Sequence, residues 1–358
     1  MRIAFTFNLK RKGYGLSDDA NAEFDNPETI EAIRNALEKA GNEVILIEGD
    51  EHAYERLKSC NADIVFNWAE GLRGESRESQ IPAMLEMLGM PYVGSGPLAL
   101  ALALDKARAK EVASFHDIPT AKFQVFNSPD STLKLAFPLI VKPLHEGSSK
   151  GVRDDSVVRS EKELRNVVAR VIKLYRQPAI AEEFLDGREF TVSIFGNKNP
   201  IVLPLLEKNF SSLPKGATPI DSWDANYVWN TKENPIDLAV CPAKVTPVLK
   251  SKIVDVALRT FKAFQCCDWC RVDVRMKSKS DEVYLLELNP IPGLLPKPED
   301  LSYLPLAGWA AGLTYEEIVN APVYFALERY GMLHKAGEYY SKLGKKLEGV
   351  SRITAVEA

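Results

Sequence analysis

Arg271-Val-Asp273-Val-Arg275 alternates charged with apolar residues, Lys277-Ser-Lys-Ser-Asp281 is a polar turn, and Val283-Tyr-Leu-Leu-Glu287-Leu-Asn289 brings the chain back. Side chains on an extended strand alternate between faces. Arg271, Asp273 and Arg275 therefore share one face of the first strand, and Glu287 and Asn289 share one face of the second. The spacing predicts strands over 270–276 and 282–289 joined as a hairpin, with Asp273, Glu287 and Asn289 brought together. Two carboxylates and an amide form a hard oxygen set suited to Mg²⁺ (or Mn²⁺), which takes one or two carboxylates, waters and nucleotide phosphates. A hairpin with one wet, charged face would alternate in the same way. Glu287, however, closes a strongly apolar run, where an unpaired carboxylate is costly, and this favours the metal.

Upstream, Phe137-Pro-Leu-Ile-Val-Lys142-Pro143 reads as a buried strand ending in a cation, followed by His145-Glu-Gly147-Ser148-Ser149-Lys-Gly151. Such a loop offers phosphate its backbone N–H groups and hydroxyls, and glycine permits close approach. Neither the P-loop pattern nor G-x-G-x-x-G is present, which disfavours a dinucleotide-dependent oxidoreductase. Ala179-Ile-Ala-Glu182-Glu183 is a further strand, running through Gly187-Arg188 to Glu189. Its carboxylates suit an adenine amino group and ribose hydroxyls, although taken alone it reads better as a solvated strand end.

Before these, apolar runs at 2–8, 43–48, 63–67 and 91–94 alternate with helical spacing, as in Ile30, Ile33, Ala36, Leu37 and Ala40 after Pro27. That rhythm predicts a parallel α/β layer over the first 95 residues. One helix is expected over 98–116, and further helices over 160–174, with Ser160-Glu-Lys-Glu163 as a capping box, 248–264 and 315–329. Loops rich in Pro and Gly fill 209–221 and 290–300, and a polar surface helix follows Gly331. The 358 residues exceed one ordinary core. With 46% apolar and 26% charged residues and a net charge of −4, the chain has a globular profile that points to neither nucleic acid nor a membrane surface. No transmembrane stretch or signal peptide is evident, and the five cysteines are read as reduced thiols of a cytoplasmic protein. His52, His116, His145 and His334 are read as incidental.

Taken in order, these segments resemble the ATP-grasp superfamily, and within it the D-alanine–D-alanine ligase family. The likeness extends over Glu70-Gly-Leu-Arg-Gly74, the run from Gln80 to Gly96, Leu104-Asp-Lys106, Val141-Lys-Pro143, Glu146-Gly-Ser-Ser149, Arg271-Val-Asp273 and Glu287-Leu-Asn289-Pro-Ile-Pro-Gly293. It implies an N-terminal parallel α/β domain (1–96) and two α+β domains (97–184 and 185–330) clamping ATP, with a polar tail over 331–358. On this resemblance Lys106, Lys142, Ser148 and Ser149 meet the phosphates, Glu182 and Glu183 lie near adenine, and Glu189 lies on the ribose. Asp273, Glu287 and Asn289 hold Mg²⁺. Glu23 holds the first amino acid's ammonium, Ser302 receives the second substrate's carboxylate, and Arg271 and the Gly293 N–H stabilise an oxyanion. The implied reaction joins two amino acids, by default two D-alanines for peptidoglycan, through an acyl phosphate. A homodimer is the family's common assembly.

Several features depart from the family pattern. Asn226 stands where the family usually has a lysine facing the γ-phosphate, with Lys208 and Lys215 as candidate replacements. Glu70 replaces a frequent histidine. The loop from Asn8 to Asn26 is longer, and there is a short insertion before Ser302. The alternatives kept open are therefore a ligase for another amino acid or small peptide, and a nucleotide-binding homologue with little ligase activity. A lid is expected around 209–230.

Overall fold

Arg2–Phe7 (β1) is buried on both faces beyond Arg2 and lies between two other strands, Glu43–Glu48 (β2) and Ile64–Asn67 (β3); Tyr92–Val93 (β4) completes a sheet of order β2-β1-β3-β4 with every pairing parallel. The computed structural model describes residues 1–11, 15, 17–231 and 233–356, with side chains up to 351. Helix Pro27–Lys39 covers this sheet with Ile30, Ile33, Ala36 and Leu37, the residues marked by the helical spacing.

The expected helix over 98–116 is two helices, Pro97–Leu104 and Lys106–Phe115. The reason is Asp105: it is extended (φ −82°, ψ 100°), and its carboxylate accepts from Ala107 N and Arg108 N at 3.0 Å each, capping a new helix. Lys106 thereby becomes the first residue of the second helix.

Phe123–Phe126 (β5), Leu139–Pro143 (β6), Val157–Val158 (β7) and Ala179–Glu183 (β8) form an antiparallel sheet of order β5-β8-β6-β7. Helix Glu161–Tyr175 packs on it through Leu164, Val167, Val168 and Val171. At its start Ser160 Oγ accepts from Glu163 N, and Glu163 Oε2 accepts from Arg159 N, one residue before the cap.

The third sheet runs β12-β11-β9-β13-β14, with β10 also on β9. Its strands are Glu189–Phe195 (β9), Ile201–Val202 (β10), Leu206–Lys208 (β11), Ala239–Val240 (β12), Trp269–Met276 (β13) and Val283–Asn289 (β14), all antiparallel. Helix Pro247–Ala263 covers its apolar face.

Helices Tyr303–Ala310 and Tyr315–Arg329 share a core with the N-terminal sheet. The tail helix, Glu338–Val356, is not merely a polar surface helix. Its Tyr340, Leu343, Leu347 and Val350 are buried in that core, and Tyr340 Oη donates to Asn320 Oδ1 (2.7 Å) while accepting from Asn42 Nδ2 (2.8 Å). Among the described residues no helix is long and apolar enough to cross a membrane.

Candidate active site

The hairpin pairs Asp273 directly with Glu287 and Arg271 with Asn289, with an irregularity just after Asp273. Asp273 is buried and accepts from Thr191 Oγ1 of β9 at 2.7 Å and from Arg271 Nη2 at 2.9 Å. Burial works against charge on Glu287, but Lys106, Lys142 and Arg271 together outweigh it and hold its carboxyl below the ordinary range. The hairpin register thus brings the predicted metal ligands together as hard oxygen donors. Asn289 Oδ1 also accepts from Ile291 N at 3.0 Å, which fixes the amide. This donor set fits Mg²⁺: two carboxylates and an amide on neighbouring strands, beside lysines suited to phosphates. Among the described residues no three His, Cys, Asp or Glu converge in a way that could hold a metal.

Asp273 and Glu287 wall a cavity together with Lys106, Lys142, Gly147, Ser149, Glu189 and Arg275, with Ile140, Val152 and Ile220 as apolar lining. Lys106 Nζ donates to Glu146 O and lies 3.7 Å from Glu287 Oε2. Glu182 is only 3% exposed and lies between Lys110 (3.1 Å) and Lys142 (3.5 Å). Burial raises its carboxyl, but the two lysines outweigh that and hold it low; burial pulls Lys110 down. Glu182 thus orients Lys142 rather than facing the cavity itself. Glu183 instead meets Lys277 at 2.8 Å on the surface, whereas Glu189, pushed up by burial, meets Arg275 at 2.8 Å on the cavity wall.

The phosphate loop needs left-handed backbone. Ser148 and Ser149 have φ of 50° and 56°, and Gly151 has φ 76°, where a Cβ would lie 2.3 Å from the Pro143 ring. The N-terminal loop fastens it from above: Gly147 N donates to Glu23 Oε1 and Gly151 N to Asp19 Oδ2, both at 2.8 Å. Both Glu23 oxygens also accept from Arg77 Nη2 at 2.7 Å. Burial raises the Glu23 carboxyl, but Arg77, Lys150 and the Gly147 N–H bring it below the ordinary value.

Asn226 Nδ2 donates to Asp221 Oδ1 at 2.6 Å, while Lys208, 5% exposed, meets Asp221 Oδ2 at 2.5 Å and lies 3.2 Å from the Tyr303 ring centre. Burial lowers the Lys208 ammonium; Asp221 and the nearby Tyr303 and Asp273 reverse that and raise it, so the cation is firmly held. Lys215, the other candidate, is exposed. The expected lid contains a single π-helical turn, Asp224–Trp229, and leans on the phosphate loop through Trp223 N to Val152 O (2.8 Å) and Asp154 N to Asp224 Oδ2 (2.8 Å). At the far end of β14, a Cβ at Gly293 would lie 3.1 Å from Ser302 Oγ, so these two predicted residues are neighbours; Arg271 lies over Tyr303 beside them.

A second cavity adjoins the first, sharing Lys106, Glu146, Gly147 and Glu287 with it, and is further lined by Glu23, Glu70, Glu78, Ser148 and Asn289. Sequence reasoning missed Lys110, Arg77, Glu78 and Asp221, and placed Arg275 on the face of Asp273 without giving it a role. Lys110 had a signal: it follows Lys106 by four residues on one helix face.

Comparison with known proteins shows the family and the fold. Residues 112–323 match the family described as D-ala D-ala ligase C-terminus. A D-alanine–D-alanine ligase of Carboxydothermus hydrogenoformans is 32% identical over 88% of this chain and 96% of its own. The chain belongs to the D-alanine–D-alanine ligase family. An uncharacterised Sinorhizobium fredii protein, y4sG, is 35% identical over 84% of this chain and 88% of its own. The fold is that of the Bacillus anthracis D-alanine–D-alanine ligase, with a TM-score of 0.70 at 23% identity, covering 92% of this chain and 99% of that one. The same enzyme complexed with ATP gives 0.69. The family's fold is the ATP-grasp expected from the sequence.

Proposed function

We propose that this chain is an ATP- and Mg²⁺-dependent carboxylate–amine ligase that joins two amino acids, with D-alanine as the reference substrate. The observation that carries the reading is the meeting of two cavities at Lys106, Glu146, Gly147 and Glu287: a phosphate-suited cleft opens onto a smaller polar pocket where a carboxylate can reach the γ-phosphoryl group.

In this reading one oxygen of the first amino acid's carboxylate attacks the γ-phosphorus, and the bond to the β-phosphate oxygen breaks, giving ADP and an acyl phosphate. The second amino acid's amine then attacks the acyl carbon, and the tetrahedral intermediate expels inorganic phosphate. Lys106 and Lys142 neutralise phosphate charge, and Glu182 holds Lys142 in place. Lys208 supplies the cation absent at Asn226. Glu189 and Arg275 form the ribose end. Arg271 and the Gly293 N–H face the oxyanion, and Ser302 receives the second carboxylate. Glu23, already bonded to Arg77 and Gly147, ties the N-terminal loop to the phosphate loop. Asp273, Glu287 and Asn289 would hold Mg²⁺, which when bound offsets charge on the phosphoryl group. Positioning and charge neutralisation supply most of the rate, and the segment 209–230 keeps water from the acyl phosphate.

The test is phosphate release with ATP, Mg²⁺ and a panel of D- and L-amino acids. Release with D-alanine alone supports the reference substrate. Release only with another pair keeps the ligase and replaces the substrate. ATP binding without amino-acid-stimulated turnover would make the chain a non-ligating homologue. A homodimer belongs to the same reading and is tested by analytical ultracentrifugation.

A further inference from the structure

Five glutamates, Glu23, Glu70, Glu78, Glu146 and Glu287, line the second cavity against one lysine, Lys106. Three of them are already engaged. Glu23 accepts from Arg77 and from Gly147 N. Glu146 meets Arg77 (3.1 Å), Lys150 (2.8 Å) and Gln177 (2.7 Å). Glu287 faces Lys106 and belongs to the proposed metal set. Glu70 and Glu78 remain, and among the described residues neither has a hydrogen bond or an ion pair. Glu78 is only 8% exposed yet lines the cavity, and a carboxylate at that depth without a partner is costly unless something answers it. A divalent metal does not: these acids do not converge in a metal-holding group.

Of the remaining wall, Ala103, Leu104, Leu288 and Pro290 offer an apolar strip for a short methylene stem, and Gly147, Ser148 and Asn289 stand beside it as polar neighbours. Arg77, and for Glu78 also Lys106, offset this charge only in part, and two carboxylates with no bonded cation beside such a strip match a ligand carrying two separated cations. Resting on the ligase reading above, we infer that the first-substrate pocket takes an amino acid bearing a second positive charge on its side chain, with its two cations held by Glu78 and Glu70. Burial first, and for Glu70 the charges of Glu78 and Glu23 next, push both carboxyls above the ordinary range; an entering cation relieves that penalty. Glu70 thereby acquires a role in specificity.

The test uses ornithine and norleucine, in both D and L forms. They differ in an ammonium against a methyl on stems of the same length. Binding is measured by calorimetry on the full chain with Mg²⁺ and a non-hydrolysable ATP analogue, and turnover separately by ADP release. Ornithine of one hand should bind at least tenfold tighter than norleucine, and Glu78→Gln and Glu70→Gln, each confirmed folded by its melting curve, should shrink that ratio at least fivefold. Equal binding of the two ligands by the wild type, or a ratio unchanged in both variants, overturns the inference. The two readings fail separately. Tenfold preference without ADP release retains the dicationic pocket and removes the ligase; ADP release with neutral amino acids and no preference does the reverse.

Discussion

Replacing Lys208 by Met probes the departure that most threatens a ligase reading, the asparagine at 226. Lys208 is buried, its ammonium pairs with Asp221 Oδ2, and its charge also acts on Asp273 and Glu189 at the cavity wall. Methionine keeps most of the volume and removes the charge. Asp221 would retain Asn226 and the Tyr303 hydroxyl (3.3 Å) but lose its cation. Breaking a buried pair from one side costs ~3–5 kcal/mol; Asp221 is partly open, so about 3 kcal/mol is expected. At ~2.1 cal/mol/K of unfolding entropy per residue, a chain of 358 residues shifts by ~1.3 °C per kcal/mol, so the melting temperature should fall by roughly 4 °C. Adding Asp221→Asn removes the stranded charge and should recover more than half of that loss, a coupling the double-mutant cycle reads directly. Turnover should fall ~10²-fold in the single variant, the magnitude typical of one lost charge-stabilising group, and should stay low in the double variant. The assay is steady-state phosphate release at saturating ATP alongside thermal melts. Near-normal turnover by Lys208→Met would refute the replacement of the missing lysine; strictly additive melting shifts would refute the pairing.

Other outcomes follow from the same geometry. Glu287→Gln should lower phosphate release at least a hundredfold at fixed Mg²⁺, and near-normal rates would contradict its place in the metal set. Burial pushes the Glu78 carboxyl up to about 8, so its protonated form stabilises the ligand-free fold; that contribution is complete below the ordinary value of 4.5 and disappears as pH rises through about 8. The melting temperature of the ligand-free protein should therefore fall across that window, and Glu78→Gln should flatten the fall. Tyr340→Phe leaves the Asn320 carbonyl without its hydroxyl donor and removes a partner of Asn42, which should cost about 1–3 kcal/mol in urea unfolding with turnover unchanged.

The parts that could be read in the sequence are those whose geometry follows from periodicity. Alternation over 271–289 implied both the hairpin and the meeting of Asp273 with Glu287, because a strand's side-chain period leaves little freedom once one face is buried. The N-terminal layer and helix 315–329 were legible for the same reason. The break at Asp105 was hidden by the Ala- and Leu-rich stretch before it, which favours helix on either side, so that only the capping carboxylate reveals the interruption. Arg77 with Glu23, and Lys208 with Asp221, join loops far apart in the chain, and no local pattern fixes which charges will meet. In the tail, Tyr340, Leu343, Leu347 and Val350 do keep helical spacing, but they sit among lysines and glutamates that make the segment read as a solvated face.

The account depends above all on Asp273 and Glu287 gripping a divalent cation that pins the triphosphate. A crystal grown with Mn²⁺ and a non-hydrolysable ATP analogue tests it most directly, through the anomalous signal. The account predicts a peak within bonding distance of both carboxylates and of a nucleotide phosphate; nucleotide bound in the cleft with no peak between those two side chains would contradict it.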